Sequence, residues 1–294
     1  MIIVQLYGGL GNQMFQYATG RALSLKNDTD LKLDLHAFES YSKGITKRKY
    51  KLDIFNIKTK FASIKEVEEY TIPSKIMYLL NRNLKLPTNP YSSTYIKEKT
   101  LNFDESVMKL SKKIYLDGYW QTEKYFKNFD KQIKIDFIFK SEPSSKNKVL
   151  LEQIKSTNSV SIHVRRTDYV SDKETNEFHG VIGTEYYRAA IVLLSQKVKN
   201  PRYFIFSDDI SWCKINLKFI KDAVFVDYNK DDKSFEDMRL MSKCKHNIIA
   251  NSSFSWWGGW LNENSDKIVI APKKWFKDPT ISTKDRIPEA WIRL

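Results

Sequence analysis

The stretch VSIHVRRTD at residues 160–168 decides the fold class that the sequence predicts. Its apolar, β-branched first half is typical of a buried strand, and its second half ends in two arginines and an aspartate. In open α/β folds, ligands bind at the sheet edge where the strands reach their carboxyl ends. We therefore expect Arg165 and Arg166 at such an edge, where two cations indicate an anionic ligand.

The second half of the chain repeats this arrangement. Short apolar runs at 203–206, 247–250 and 268–271 each end in polar residues or proline, and helical patterns at 184–197 and 235–241 lie between them. Alternation of short apolar strands with helices is typical of a parallel sheet. The polar residues that follow the strands should then gather at one edge of that sheet.

The first half of the chain begins in the same way. An apolar run at 2–7 is followed by the glycine loop GGLGNQ at 8–13, a helical pattern at 14–25 and the apolar run LKLDL at 31–35. This order predicts a strand, a loop, a helix and a second strand. It is typical of the opening of a nucleotide-binding α/β fold.

The middle of the chain contains the expected domain boundary. Helical spacing near 64–80 and a Pro-rich loop at 87–90 precede a strand pattern at 114–118. The stretch SEPSSKN at 141–147 is polar and rich in serine, as linkers are. Because 294 residues exceed most single cores, we expect two α/β domains of roughly 150 residues each. Their predicted bounds are 1–145 and 146–294.

The charge balance of the chain is basic. Lysine and arginine number 49 against 35 aspartates and glutamates, which gives a net charge of +14. This balance favours polyanions, acidic membrane surfaces or phosphorylated substrates as partners. The lysines are scattered along the chain instead of forming one block. We therefore expect a solvated basic surface and no nucleic-acid partner.

Cysteine usage and hydropathy bear on the cellular location. Cys213 and Cys244 lie far apart and in no metal-ligand or redox spacing, which fits a reducing compartment. The first residues lack the basic region of a signal peptide, and no run approaches the roughly 18 apolar residues that a spanning helix needs. We expect a cytoplasmic protein, with at most peripheral association at the inner face of the plasma membrane.

Arg165 and Arg166 are the first candidates for chemistry. A guanidinium group binds phosphate oxygens in a fixed geometry, and a diphosphate leaving group needs positive charge where its negative charge develops. In the structural alternative, one arginine forms an ion pair with Asp168 and the other is solvated. The residues alone leave both interpretations open.

Polar residues at the ends of other strands also have two interpretations. Asn251, Ser252 and Ser253 precede a helical pattern, where they cap the helix or form an anion site with free backbone N–H groups. Asp208 and Asp209 follow another strand, where they recognise a base or ribose, hold a divalent cation or cap a helix.

The search for a general base centres on the segment at 169–179. This segment is polar and predicted to be a flexible loop, in which Asp172, Glu174 and Glu177 either accept a proton from an attacking hydroxyl or are simply solvated. His163 points inward on its strand, as a core histidine or as a contact to a base or phosphate.

Large aromatic residues have a binding and a packing interpretation. Tyr119, Trp120 and the tryptophan cluster at 256–260 are suited to stack on a sugar or a base. Large aromatic side chains mostly fill cores, however, and we expect Trp257 and Trp260 to do so.

The glycine loop suggests a rival enzyme class, the NAD-dependent oxidoreductases. Gly9 and Gly11 follow the first strand as in a dinucleotide-binding loop. Met14 occupies the position that needs the third glycine, and Asp34 lies late for the acidic partner. As a dinucleotide signal the loop is weak.

Four motifs follow one another along the chain: GGLGNQMFQYA at 8–18, YWQTEKYF at 119–126, HVRRTDY at 163–169 and NSSFSWW at 251–257. Together they closely resemble the bacterial α-1,2-fucosyltransferases, with a match from residue 1 to about residue 275. The ordered set is far more specific than any one motif.

The resemblance implies an α/β fold of the GT-B type, with two Rossmann-like domains facing across a cleft. GDP-fucose would bind mainly to the C-terminal domain, and the acceptor would enter from the N-terminal side. The family is inverting and transfers L-fucose from GDP-β-L-fucose to the 2-hydroxyl of a terminal galactose. The implied partners are GDP-fucose as the donor substrate and a galactose-terminated glycan, with no metal or other cofactor.

The resemblance also implies roles for single residues. Arg165 would hold the β-phosphate and stabilise the departing GDP, and the base would be Asp168 or Glu174. His163 and Asp208 would help to recognise the guanosine. The full implied set comprises catalytic Arg165, Asp168 and Glu174, donor-binding Asn12, Gln13, His163, Arg166, Asp208, Asn251, Ser252 and Ser253, and acceptor-side Trp120 and His179.

One position departs from the family pattern. Thr167 follows the arginines where many bacterial members carry glycine, and the more distant α-1,6-fucosyltransferases also show threonine there. An α-1,6 linkage therefore remains the alternative to the α-1,2 linkage.

Overall fold

The computed structural model describes residues 1–39, 48–58, 60–72, 93–111 and 113–294, with the side chains of Asp168 and Ser171 excepted. The chain forms two compact units, Met1–Lys140 and Ser141–Leu294. The second part of the helical pattern at 64–80 and the predicted loop at 87–90 lie outside the described residues.

The first unit contains a parallel sheet. Its described strands are β1 (Ile2–Gln5), β2 (Leu31–Asp34), β3 (Lys60–Phe61), β4 (Tyr95–Lys97) and β5 (Ile114–Asp117). They lie in the order β3-β2-β1-β5-β4, and every pairing is parallel. The chain moves from β1 outward to β2 and β3, and β5 then joins the other side of β1. The carboxyl ends of β1 and β5 therefore flank the topological switch point, where open α/β sheets bind ligands.

The described α-helices of the first unit are α1 (Leu10–Lys26), α2 (Ile64–Thr71), α3 (Glu105–Met108) and α4 (Asp130–Asp136). The predicted loop at 8–13 is too long, because α1 already begins at Leu10. Gly8 adopts a φ of +77°, which turns the chain within two residues, and the Gly9 carbonyl accepts hydrogen bonds from the backbone of Asn12 and Gln13. Asn12 and Gln13 thus belong to the first turn of a helix.

The second unit contains another parallel sheet. Its described strands are β6 (Asn158–Val164), β7 (Pro201–Ser207), β8 (Val224–Val226), β9 (His246–Ile248), β10 (Val269–Ala271) and β11 (Ile292–Arg293). Their order is β11-β10-β9-β6-β7-β8, all parallel. Because β6 pairs with both β7 and β9, the switch point lies between the carboxyl ends of β6 and β9.

Helices of the second unit are α5 (Ser145–Ser156), α6 (Thr167–Ser171), α7 (Lys173–His179), α8 (Thr184–Ser195), α9 (Ile210–Asn216), α10 (Phe235–Lys243) and α11 (Ser253–Trp260). Strand β6 is buried on both faces, although its sequence alternates: Ser159, Ser161 and His163 share one face, and Val160, Ile162 and Val164 share the other. Val160, Ile162 and Val164 pack with Tyr187 and Leu194 of α8. This packing holds the end of β6, where the arginines follow.

The structure places the division between the units at Lys140, slightly before the expected boundary at residue 145. The backbone of Lys140 donates to the carbonyl of Ile54, which ties it to the first unit. The carbonyl of Ser141 accepts from the guanidinium of Arg239, 2.7 Å away, in the second unit. The expected α/β fold of the GT-B type, with two Rossmann-like units, is confirmed because each unit has its own parallel sheet.

Candidate functional site

Arg165 lies at the carboxyl end of β6, on the side of the switch point. Its Nη1 is 3.2 Å from Oδ2 of Asp208, and its guanidinium lies 5.6 Å from the centre of the Tyr169 ring. The Tyr169 hydroxyl donates to the carbonyl of Asn251, which follows β9. Arg165 is therefore held next to both strands that border the switch point, with its side chain one quarter exposed.

Arg166 is held by residues that follow β7. Its Nε donates to Oδ2 of Asp209 at 3.3 Å, and its guanidinium stacks over the Trp212 ring at 4.0 Å. Both contacts are made with residues that follow β7. Both arginines therefore pair with carboxylates that follow β7, and Arg165 in addition lies near Tyr169, whose hydroxyl reaches the segment after β9.

Asp208 has three interactions within the second unit. Its Oδ1 accepts from the backbone N–H of Arg166 at 2.9 Å, and its Oδ2 accepts from the backbone N–H of Thr167 at 3.1 Å. The same Oδ2 pairs with Arg165. A carboxylate at a helix start stabilises the free N–H groups of the first turn. Asp208 thus orients Arg165 and the start of α6, whereas Asp209 caps the following helix through the backbone of Trp212.

His163 is buried beside these residues, with only 5% of its surface exposed. Its ring packs 5.6 Å from the ring of Phe254, and among the described groups its Nδ1 has no hydrogen-bond partner. Burial lowers the pKa of His163 to about 4, Asp208 opposes this effect and Arg165 adds to it. The imidazole is therefore neutral at neutral pH, and it keeps one polar atom for a ligand.

The segment after β9 combines a structural residue with a helix start. The buried Asn251 donates from Nδ2 to the carbonyls of His179, at 2.9 Å, and Trp275, at 3.1 Å. Ser252 caps α11 by accepting from the backbone of Phe254, and Ser253 is the first residue of that helix. The N-terminus of α11 therefore lies beside the switch point, where its partial positive charge favours an anion.

The expected flexible loop at 169–179 is wrong, because most of this segment is helical. It forms the end of α6 and the whole of α7, and Asp172 caps α7 by accepting from the backbone of Thr175 at 2.7 Å. Hydrogen bonds from the side chain and from the backbone of Thr175 hold the pKa of Asp172 below its ordinary value. Glu174 is exposed in the first turn of α7, and Asp168 lies in α6 with its side chain outside the described part.

His179 lies at the end of α7 in the second unit, not in the unit expected to receive the acceptor. Its ring stacks on Tyr169, with 4.7 Å between the centres and 3° between the planes. Phe178 and Phe276 pack against the same ring. This aromatic cluster supports Tyr169 and, through it, the position of Arg165.

In the first unit, Gln13 is fully buried and its amide is used internally. Its Nε2 donates to the carbonyls of Gly8 and Lys49, and its Oε1 accepts from the backbone of Lys51, all at 2.9 Å. Gln13 therefore fixes the glycine loop and offers no surface to the donor. Asn12 is partly exposed, and its Oδ1 accepts from Nε2 of Gln121 at 2.7 Å.

Trp120 is a core residue of the first unit, with 1% of its surface exposed. Its ring packs edge-on against Tyr125 at 5.5 Å. The indole therefore offers no surface to an acceptor, whereas its neighbour Tyr119 is 38% exposed. Trp257 and Trp260 are buried, which confirms the expectation that they belong to the core.

A comparison with models of protein families identifies the family of this chain. The model of "Glycosyl transferase family 11" matches residues 1–294. The chain belongs to this family. The glycosyltransferase is 37% identical over 303 residues to an alpha-1,2-colitosyltransferase of Escherichia coli, covering 100% of this chain and 99% of that protein. It is 31% identical over 104 residues to a galactoside 2-alpha-L-fucosyltransferase of Bos taurus, covering 35% of this chain and 28% of that protein.

Solved structures give a looser similarity. The glycosyltransferase aligns with the NodZ alpha-1,6-fucosyltransferase of Bradyrhizobium, soaked with GDP-fucose, at a TM-score of 0.46 and 14% identity. The alignment covers 88% of this chain and 92% of NodZ.

Two tyrosines make contacts at the site that the sequence of this glycosyltransferase does not predict. Tyr169 links Arg165 to the segment after β9, and Tyr186 donates to the carbonyls of Ile249 and Ile270 at the ends of β9 and β10. A tyrosine in a helical pattern is typical of a core residue, so only the tertiary structure reveals these contacts.

Two further searches concern metals and membranes. Among the described residues, His, Cys, Asp and Glu side chains form no group of three or more suited to hold a metal ion. Within the same ranges, no helix is both long and apolar enough to cross a membrane.

Proposed function

We propose that this glycosyltransferase moves L-fucose from GDP-β-L-fucose to the 2-hydroxyl of a terminal galactose, with inversion at the anomeric carbon. The observation that carries the proposal is Arg165, a partly exposed cation at the end of β6, which lies near Tyr169, whose hydroxyl contacts Asn251 just before α11. The ordered motifs that resemble bacterial α-1,2-fucosyltransferases support the same substrate pair, as does the name of the bovine relative.

The proposed reaction is a direct displacement. The galactose 2-hydroxyl attacks the anomeric carbon while the bond from that carbon to the GDP oxygen breaks. Arg165 and the N-terminus of α11 stabilise the negative charge on the leaving diphosphate, so the step needs no metal ion. The proton of the attacking hydroxyl passes to a carboxylate, for which Asp168 in α6 and Glu174 in α7 are the candidates.

An Arg165→Ala variant tests this proposal. Loss of one strong contact to developing negative charge lowers turnover by about 10²–10³. The assay combines GDP-fucose with a panel of galactosides, and NMR of the product determines the linkage. Arg202→Ala is the matched control, because Arg202 is exposed on the same sheet but lies near the start of β7. Wild-type turnover in Arg165→Ala would contradict the mechanism, and loss of turnover in EDTA would contradict its independence of metal.

A second candidate donor follows from the similarity to the colitosyltransferase, which extends over the whole chain. Colitose is fucose without its 3-hydroxyl. A site that binds this hydroxyl by hydrogen bonds rejects the deoxy sugar strongly, because its buried polar groups stay unpaired. The kcat/KM values for GDP-fucose and GDP-colitose, measured side by side, decide between the two donors.

The α-1,6 alternative loses its main support in the structure. Thr167 begins α6, its Oγ1 donates to the carbonyl of Asp208 and its backbone N–H donates to the Asp208 carboxylate. The hydrogen bond from the Thr167 hydroxyl to the segment after β7 therefore accounts for a threonine at this position without reference to the acceptor.

We further propose a cytoplasmic enzyme that associates peripherally with acidic membranes. The net charge of +14 and the two free, buried cysteines support this proposal. Co-sedimentation with vesicles that contain phosphatidylglycerol should fall steeply as salt rises from 50 to about 500 mM. Equal binding to neutral vesicles would contradict an electrostatic association.

A further inference from the structure

The carboxyl edge of the first sheet presents an exposed aromatic ring at its switch point. Tyr7 follows β1, and Tyr119 follows β5, so both residues lie where the direction of strand addition reverses. Their rings meet edge-on, with 4.8 Å between the centres and 72° between the planes. Single exposed aromatic residues are common on protein surfaces, but this one occupies the usual ligand position of an open α/β sheet.

The backbone beneath this ring is held in a strained conformation. Trp120 adopts a φ of +55°, in the left-handed region that bulky residues rarely enter. The carboxylate of Glu98 accepts from the backbone of Tyr119 at 2.7 Å and from that of Trp120 at 3.0 Å. At Gly118, an added Cβ would lie 2.4 Å from the Cβ of Glu98, so only glycine fits. Strained backbone segments that are held by several contacts are often found at functional sites.

A polar acceptor accompanies the ring. Asp117, the last residue of β5, accepts from the Tyr7 hydroxyl at 3.5 Å and also from the Tyr95 hydroxyl. An aromatic face next to a carboxylate suits a sugar, because C–H groups of the pyranose pack on the ring while its hydroxyls donate to oxygen. Galactose has such a C–H face on the side opposite its axial 4-hydroxyl.

We propose that Tyr119 is the stacking platform for the terminal galactose of the acceptor, with Asp117 beside it as an acceptor for a sugar hydroxyl. This inference rests on the proposed function and adds a specific acceptor subsite in the first unit. It replaces Trp120 of the same motif, whose ring is turned into the core.

Steady-state kinetics on three variants test the platform. Tyr119→Ala and Tyr119→Leu both remove the ring, and Tyr119→Leu keeps an apolar side chain of similar bulk on the backbone segment that Glu98 holds. Each should raise the KM for a β-galactoside about tenfold or more, since loss of an aromatic contact weakens binding on that scale. The KM for GDP-fucose should stay within twofold, and Tyr119→Phe should retain wild-type values because it keeps the ring.

The matched control is Phe61→Ala, which removes an exposed aromatic ring on β3 of the same unit. Saturation-transfer NMR with methyl β-galactoside measures acceptor binding without turnover. If wild type binds the galactoside but transfers neither fucose nor colitose, the proposed function fails, and the binding data still judge Tyr119. The platform would be overturned if both Tyr119→Ala and Tyr119→Leu kept the wild-type acceptor KM and NMR signal. It would also be overturned if Phe61→Ala raised the acceptor KM and weakened the NMR signal to the same extent as these two variants.

Discussion

At the residue scale, Asp208 organises the carboxyl edge of the second sheet, where the donor is proposed to bind. Its two oxygens accept from two backbone N–H groups and from Arg165, so most of its hydrogen-bonding capacity is used inside the protein. Family resemblance implies a guanosine contact for this residue. Its contacts instead favour a positioning role, in which Asp208 holds the Arg165 guanidinium in place for the proposed diphosphate.

The affinities for guanosine, GMP and GDP distinguish the positioning role from the contact to guanosine. In Asp208→Asn, the amide oxygen still accepts a backbone N–H, but the ion pair with Arg165 is lost. We expect the affinity advantage of GDP over GMP to fall by about tenfold, while guanosine binding is unchanged, because only GDP carries the β-phosphate. Calorimetric titration measures all three ligands. A matched loss for guanosine, GMP and GDP would instead assign Asp208 to the base.

At the scale of elements, a buried polar network connects α10 with α5 through Asn229. Oδ1 of Asp237 accepts from Asn229 at 2.9 Å, and Oδ1 of Asn229 accepts from Asn147 at 3.0 Å. Burial raises the pKa of Asp237 to about 7, although the hydrogen bond from Asn229 opposes this effect. A carboxyl group that resists ionisation in the native state makes the stability of this unit depend on pH.

The sign of this dependence follows from the two pKa values. An unfolded aspartate ionises near pH 3.8, whereas native Asp237 ionises near pH 7, so its contribution to the free energy of unfolding falls as pH rises between these values. Asp237→Asn should match wild type near pH 4 and exceed it at pH 8 by up to about 4 kcal/mol. Urea unfolding followed by tryptophan fluorescence reports on the second unit, because only Trp120 lies in the first. The exposed Asp266→Asn serves as the control, and an unaltered pH profile in Asp237→Asn would refute the prediction.

At the scale of the whole molecule, the two units present different chemistry at equivalent places. The switch point of the second unit carries Arg165 and the N-terminus of α11, which suit a diphosphate. The switch point of the first unit carries Tyr119 and Asp117, which suit a neutral sugar. The proposed donor site and the proposed acceptor site therefore lie in different halves of the chain.

Hydrogen exchange with bound GDP tests this division. We expect GDP to slow the exchange of amides in α6 and in the first turn of α11, because those N–H groups lie beside the proposed phosphate position. The first turn of α1 should change much less. Strong protection at the glycine loop before α1, with none after β6, would place the nucleotide in the first unit. That result would favour the dinucleotide-binding alternative.

The sequence by itself determined the α/β class, the division into two units and the strand ends that carry the arginines. These features depend on local periodicity and on the rule that parallel strands bring their carboxyl ends to one edge. The predictions for the length of the glycine loop and for a loop at 169–179 were wrong, because α1 begins at Leu10, directly after the turn at Gly8, and Asp172 caps α7.

Only the tertiary structure decided which of the candidate side chains face a ligand. The amide of Gln13 is used in internal hydrogen bonds, and Trp120 is turned into the core while Tyr119 stays exposed. Each outcome depends on partners far away in the chain, such as Lys51 for Gln13 and Glu98 for the backbone of Tyr119. A local pattern specifies the residue type at a strand end, but contacts between distant segments specify its direction.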